Sequence, residues 1–206
     1  MESGNVPEQP ESISPLDETE QPVSVTTIIL HLAQDIVETI VISLVIFFIV
    51  NTGVGRVRIE SISMEPTLFG GELVIVNKLA SFLIDYQRGD VIIFNYPLNP
   101  SEQYIKRIIG LPGNTVTIQR GRVSINGVVL DEPYIMAPPD YSGSWTVPKD
   151  SYFVLGDNRN RSSDSHIWGM LPVKKVVGKA IFIYYPFDQM GIIRGRPQAA
   201  QAHSLP

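Results

Sequence analysis

The 206-residue chain contains no cysteine, which excludes disulfides, thiolate metal sites and a cysteine nucleophile together. Histidine is scarce as well. His31, His166 and His203 are the whole complement, without HExxH or similar spacing, so a histidine metal site would have to be assembled from distant positions. Neither a metal nor an organic cofactor is expected. Positive charge is also in short supply: 16 Lys and Arg face 21 Asp and Glu, for a net charge of -5. A phosphate-binding surface needs a concentrated positive face, so nucleic acid is not an expected partner. No Lys or Arg precedes Arg56, and the basic leading region of a cleavable signal peptide is therefore missing.

What the chain does have is apolar residues, at 44%, together with 16 Gly and 16 Pro. This mixture favours a turn-rich β architecture with a sizeable core, and the length suits one domain of about 150 residues plus an anchor and tails. Residues 1–22 are rich in Pro, Glu, Ser and Gln and read as a disordered acidic tail. Residues 23–54 follow as an anchor. Their peak, TIVISLVIFFIV at 39–50, is apolar all round a helix; extending it towards Ile36 or Val54 supplies the roughly 20 residues a bilayer span requires. His31, Gln34, Asp35 and Glu38 recur at spacings of three and four, which predicts an amphipathic lead-in on the membrane surface. Arg56 and Arg58 follow the span, and the positive-inside rule would place the C-terminal side in the cytoplasm. That rule is weakest when a long domain follows, so charge alone leaves the topology open.

From residue 55 to 190 the pattern changes to short apolar or alternating runs, ELVIVNK, DVIIFNY, YIKRIIG, NTVTIQ, GRVSING, SYFVLG and AIFIYYP. Gly, Pro and Asn turns divide them, predicting seven or more strands. TVTIQRGRVSINGVVL reads as paired strands with turns at Arg-Gly-Arg and at Asn126-Gly127. Residues 191–206 read as a second disordered tail; Ala200 and Ala202 are two apart as in a cleavage site, but no apolar region precedes them.

Three segments carry candidate chemistry. SISMEPTLFGGE, residues 61–72, lies between the strand-like RVRIE and the strand ELVIV, where Ser63 can present its hydroxyl at a cleft edge; a turn whose hydroxyls satisfy local backbone groups is the plainer reading. A serine near pH 7 needs an unprotonated base. His166 with Asp164 or Asp157 is one option. The other is Lys106, because QYIKRIIG sets two adjacent cations in an otherwise apolar strand. Alternation sends Lys106 and Arg107 to opposite faces, so that one faces inward. Arginine cannot lose its proton, whereas a desolvated lysine can. The third segment, LGDNRNRSSDSHIWG at 155–169, is polar with apolar flanks, either a solvated turn or a buried network that orients catalytic groups.

Taken in order after an N-terminal span, SISMEPTL, RGDVIIF, YIKRIIGLPGN and GDNRNRSSDSHIWG resemble the motif set of bacterial type I signal peptidases over residues 36–186. The resemblance implies a mainly β fold: one transmembrane helix, then a β-rich catalytic domain of antiparallel sheets like that of the SOS-repressor peptidases. It implies a membrane-bound serine endopeptidase that removes signal peptides from exported preproteins after small-x-small sites. Its partners would be those signal peptides and the lipid bilayer, near the secretion translocon, with the catalytic domain on the extracytoplasmic face of the plasma membrane. By residue, it implies Ser63 as nucleophile, Lys106 as base, Ser61 as an oxyanion donor, Ser162 orienting the lysine, and Asp157, Asp164 and Arg107 as structural support. Met64, Leu68, Tyr104 and Ile105 would line a substrate pocket, and Phe82, Leu83 and Ile84 could dip into lipid. The chain departs from the family pattern at His166, where Arg is frequent, and at Asn114, where Asp is. Two other readings fit less of the chain: a soluble self-cleaving peptidase of the SOS-repressor kind, and a catalytically silent membrane-anchored β module.

Overall fold

A computed structural model of the chain describes residues 24–80, 85–193 and 198–199. Its packing divides at residues 46 and 47 into two units. The first is helical throughout its described part. Helix α1, Val25–Gly53, runs for 29 residues, about 43 Å at the usual rise, and its described side chains are exposed from residue 25 to 48. An apolar helix exposed in this way is suited to lipid, and its 18-residue apolar window has a mean hydropathy of 2.2. The lead-in and the span are one continuous helix rather than two pieces. No Gly or Pro occurs between Val25 and Thr52 to break it, and Gly53 is where it ends.

Beyond the helix, thirteen strands are formed among the described residues. In chain order they are β1 Val54–Arg58, β2 Leu73–Asn77, β3 Val91–Asn95, β4 Gln103–Gly110, β5 Thr115–Gln119, β6 Arg122–Ile125 and β7 Val128–Asp131. Then come β8 Gly143–Thr146, β9 Ser151–Leu155, a helical turn α2 Ser165–Trp168, β10 Leu171–Pro172, β11 Val176–Tyr185, β12 Gly191–Ile192 and β13 Gln198–Ala199. The larger sheet is ordered β1-β2-β11-β3-β4-β9-β10, with β12 on β11; the smaller is ordered β13-β7-β6-β5-β8. Every pairing is antiparallel.

The two expected turns are tight. Arg120 and Gly121 take φ of 52° and 72°, and Asn126 and Gly127 take 51° and 86°, the paired positive values of a two-residue hairpin loop whose twist matches the strands. Residues 191–206 are not wholly a tail: Gly191 and Ile192 pair with Ile183 and Phe182, and Gln198 and Ala199 pair with Asp131 and Leu130. The expected tail at 1–22 and the segment Phe82, Leu83 and Ile84 lie outside the described residues.

Three apolar clusters fill the sheets. Val91 and Ile93 of β3 pack with Ile59, Met64, Leu68, Val74 and Ile105 on one side. Ile92 and Phe94 pack with Ile108, Tyr152, Val154 and Leu171 on the other. Ile109, Phe153 and Leu155 join Val116, Ile118, Val123 and Ile125 of the smaller sheet. Strand β4 contributes to all three, and this decides the fate of its charged residues.

Candidate active site

Strand β4 pairs with β3 from Gln103 to Arg107, but with β9 only from Arg107 onward. Between Gln103 and Lys106 its second edge therefore has no strand partner among the described residues, and this stretch lines a cleft of about 600 Å³. Residues 57–63 form the opposite wall, and Arg161 and Ser163 also line it.

The Ser63 loop is pinned at its base. Ile59 N–H donates to the Glu72 carbonyl at 2.8 Å and Gly71 N–H to the Ile59 carbonyl at 2.7 Å. Met64 and Leu68 are fully buried in the core below. At the cleft, the Lys106 Nζ lies 2.7 Å from the Ser63 Oγ and 2.9 Å from the Ile105 carbonyl. The Ser61 Oγ is 3.2 Å from the Ser63 Oγ. Lys106 is only 3% exposed. Burial lowers its pKa to about 8, against the pull of the Asp164 and Asp157 charges in the other direction. Such a lysine is substantially neutral at mildly alkaline pH and can take a proton from a hydroxyl.

Arg107 points to the other side and is completely buried too. Alternation holds, but the expectation that only one of the pair faces inward does not, because apolar clusters cover both faces of β4. Arg107 makes a bidentate pair with Asp157, Nε to Oδ1 at 2.8 Å and Nη2 to Oδ2 at 2.5 Å. It also donates to the Gly89 carbonyl at 2.8 Å and sits 4.1 Å from the centre of the Tyr134 ring. Thr67 closes the network, donating to Asp157 at 2.6 Å.

The polar loop after β9 is a buried network rather than a solvated turn. Asp157, Asn158, Arg159, Ser162, Asp164 and Ser165 are all buried. Arg159 forms a bidentate pair with Glu132, and Asp164 accepts from the Gly156 N–H at 3.0 Å. His166 does not contact Ser63. Its Nδ1 lies 2.6 Å from Asp164 and its ring stacks on Tyr141 at 3.8 Å. Asn114 fills the turn of LPGN, accepting from the Leu111 N–H and the Arg88 guanidinium, each at 3.0 Å.

Four further expected residues sit at different depths around the cleft. Tyr104 and Ile105 line the cleft, but Met64 and Leu68 lie wholly inside the core and shape the cleft only from beneath. The Ser162 Oγ is buried without a hydrogen-bond partner and makes no bond to Lys106. Its nearest constraint is Gly156, where an added Cβ would fall 2.3 Å from the Ser162 Oγ and 2.4 Å from the Ser63 carbonyl.

Residue-by-residue sequence reading missed Gly156, Thr67 and Asn158. Asn158 ties the two loops together, its N–H donating to the Ser63 carbonyl at 3.0 Å and its side chain to the Ile62 carbonyl at 3.2 Å. The signal that could have found Gly156 and Asn158 was the polar run GDNR between apolar flanks; Thr67, in SISMEPTL, had no such signal. Among the described residues there is no cluster of His, Asp and Glu able to hold a metal ion.

A β-sheet hydrolase, with a serine beside a buried lysine on an open strand edge, is the class these features define. The chain belongs to the signal peptidase family, peptidase S26, whose model matches residues 33–185, and it is a serine endopeptidase. It is 44% identical over 164 residues to "Signal peptidase I" of Leptolyngbya laminosa, covering 75% of this chain and 81% of that one. "Probable signal peptidase I-2" of Synechocystis is 42% identical over 163 residues, 76% of this chain and 75% of that one. "Signal peptidase I" of Bacillus amyloliquefaciens is 37% identical over 144 residues, 64% of this chain and 76% of that one.

Proposed function

We propose that the protein removes signal peptides from exported preproteins by a Ser/Lys dyad, cutting after small-x-small sites. The observation that carries the reading is the 2.7 Å contact between Ser63 Oγ and a lysine 3% exposed. The C-terminal end of a signal peptide enters as an extended strand between Arg58–Ser61 and Gln103–Ile105, and its backbone pairs with the free edge of β4. Small side chains before the scissile bond would lie between Ile59 on one wall and Tyr104 and Ile105 on the other, all of which line the cleft. Neutral Lys106 accepts the Ser63 proton as the Oγ attacks the carbonyl carbon. The oxyanion is stabilised by the Ser63 N–H and the Ser61 hydroxyl, and the lysine returns the proton to the leaving amine. Water then attacks the acyl-enzyme, with Lys106 taking its proton, and frees Ser63. Asp157, Arg107 and Asp164 hold the scaffold in register, and Ser162 steers the ammonium once substrate has entered.

Helix α1 crosses the plasma membrane once, near the secretion translocon, and the β domain works on the extracytoplasmic face. This orientation fits the substrate, whose cleavage site emerges on that side while its apolar region is still in the bilayer. The test is cleavage of a model preprotein by the purified chain in detergent, with sequencing of the new N-terminus. Wild type should cut after a small-x-small site, and Ser63→Ala should lose activity by about 10⁴-fold or more. An inactive wild type, or a Ser63→Ala variant that cuts equally well, would refute the reading.

A further inference from the structure

Four charged side chains line the cleft outside the dyad: Arg58, Glu60 and Glu102 towards the signal-peptide side, and Arg161. The first three are of mixed sign. Arg161 stands apart. It ends the turn Arg159–Arg161, whose Asn158 carbonyl accepts the Arg161 N–H at 3.0 Å and whose Asn158 N–H holds the Ser63 carbonyl at 3.0 Å. It is thus fixed to the backbone of the Ser63 loop through one residue. Its side chain is exposed, and among the described residues its guanidinium has no carboxylate partner and no hydrogen bond. The nearby buried carboxylates are already engaged, Asp157 by Arg107 and Thr67 and Asp164 by His166 and the Gly156 N–H.

We infer that Arg161 is a specificity-determining residue for the mature side of the scissile bond, favouring an acidic side chain at the first or second position after the cut. The inference rests on the proposed strand direction: residues before the bond lie along Arg58–Ser61, so those after it pass Ser63 towards Arg161 and Ser163. An exposed guanidinium on an anchored backbone, with five donors and no partner among the described residues, suits a carboxylate arriving from substrate. The signal side carries one cation, Arg58, and two carboxylates, Glu60 and Glu102, and so offers no comparable site for an acidic side chain.

The experiment uses the full chain in neutral detergent and peptides identical except for Glu, Gln or Lys at the two positions after the cut. Wild type should show kcat/KM about fivefold higher for Glu than for Lys, mostly through KM, and the ratio should shrink as salt is raised. Arg161→Gln should bring the ratio close to one, Arg161→Glu should reverse it, and Arg161→Lys should retain part of it. The ratio is read within each variant, so a general loss of activity does not obscure it. A wild-type ratio of one, or a ratio unchanged in Arg161→Gln, overturns the inference and leaves the peptidase reading intact. Arg161-dependent stimulation by anionic vesicles with no peptide preference would overturn it in favour of a lipid contact. Failure of wild type to cut any peptide removes both.

Discussion

Lys106 and Arg107 are neighbours on one strand, equally deep, and treated in opposite ways by the protein around them. Arg107 is given a carboxylate, a carbonyl, a hydroxyl and an aromatic face. Lys106 is given a serine, one carbonyl and the Tyr104 ring at 5.4 Å, and no salt bridge among the described residues. A charge that is fully paired is fixed, and it locks the loop after β9 against the Ser63 loop through Asp157 and Thr67. A charge that is under-paired is costly, and that cost leaves the amine neutral, and so able to accept a proton, at a lower pH than an ordinary lysine. Rigidity on one face of β4 and reactivity on the other come from the same strand, separated by one residue.

Breaking the rigid side should have the largest effect on stability. Asp157→Ala leaves the Arg107 charge buried without compensation and is expected to cost about 3–5 kcal/mol, measured by denaturant unfolding of the β domain in the full chain. Asp157→Asn, which keeps the shape, should lose less. Breaking the reactive side should do the reverse. Lowering the Lys106 pKa from 10.5 to about 8 corresponds to roughly 3 kcal/mol of burial cost at neutral pH, so Lys106→Met should abolish cleavage and raise stability by about 1–3 kcal/mol. A Lys106→Met variant less stable than wild type would mean that the lysine is paired better than its surroundings indicate.

The pH dependence sharpens the same contrast. Because the folded pKa of Lys106 lies below its unfolded value, the unfolded chain holds more protons between pH 8 and 10.5. Stability relative to Lys106→Met should therefore rise with pH across that window, the penalty being complete below it. Cleavage should climb about tenfold per pH unit below 8 and level off above; a profile that rises only near the ordinary lysine value would contradict the lowered pKa. The smallest effect belongs to Ser162→Ala. Since the Oγ is buried without a partner, its removal should not lower stability and should raise it by about 1 kcal/mol. Any loss in kcat would then report a contact made only with substrate present.

Much of this arrangement is legible in the residues. The helix follows from an unbroken apolar run, and the two hairpins from Arg-Gly and Asn-Gly at loop positions. The proposed dyad is legible only through the family resemblance, since the residues by themselves leave Lys106 and His166 as alternative bases. Other parts are not legible, for physical reasons. Alternation assigns Lys106 and Arg107 to opposite faces but does not say what covers each face, which depends on clusters drawn from β9 and β11. Met64 and Leu68 were expected on a pocket wall because they adjoin Ser63, yet a short helical turn, Leu68 N–H to the Met64 carbonyl at 2.9 Å, rolls them under it. Short strands such as β8 and β12 have too few residues to show a period and exist only through their partners. Gly156 is ordinary in sequence, and its necessity appears only when Ser63 and Ser162 close in on it from distant segments.

The strap from Asn158 to residues 62 and 63 spans 96 positions in the chain. Ser63 is synthesised long before the residues that hold its loop in place, and Lys106 is buried only once β9 has been laid beside β4. A chain ending before Asn158 would carry both Ser63 and Lys106 but lack this strap, so the proposed site would be complete only once the later segment is in place.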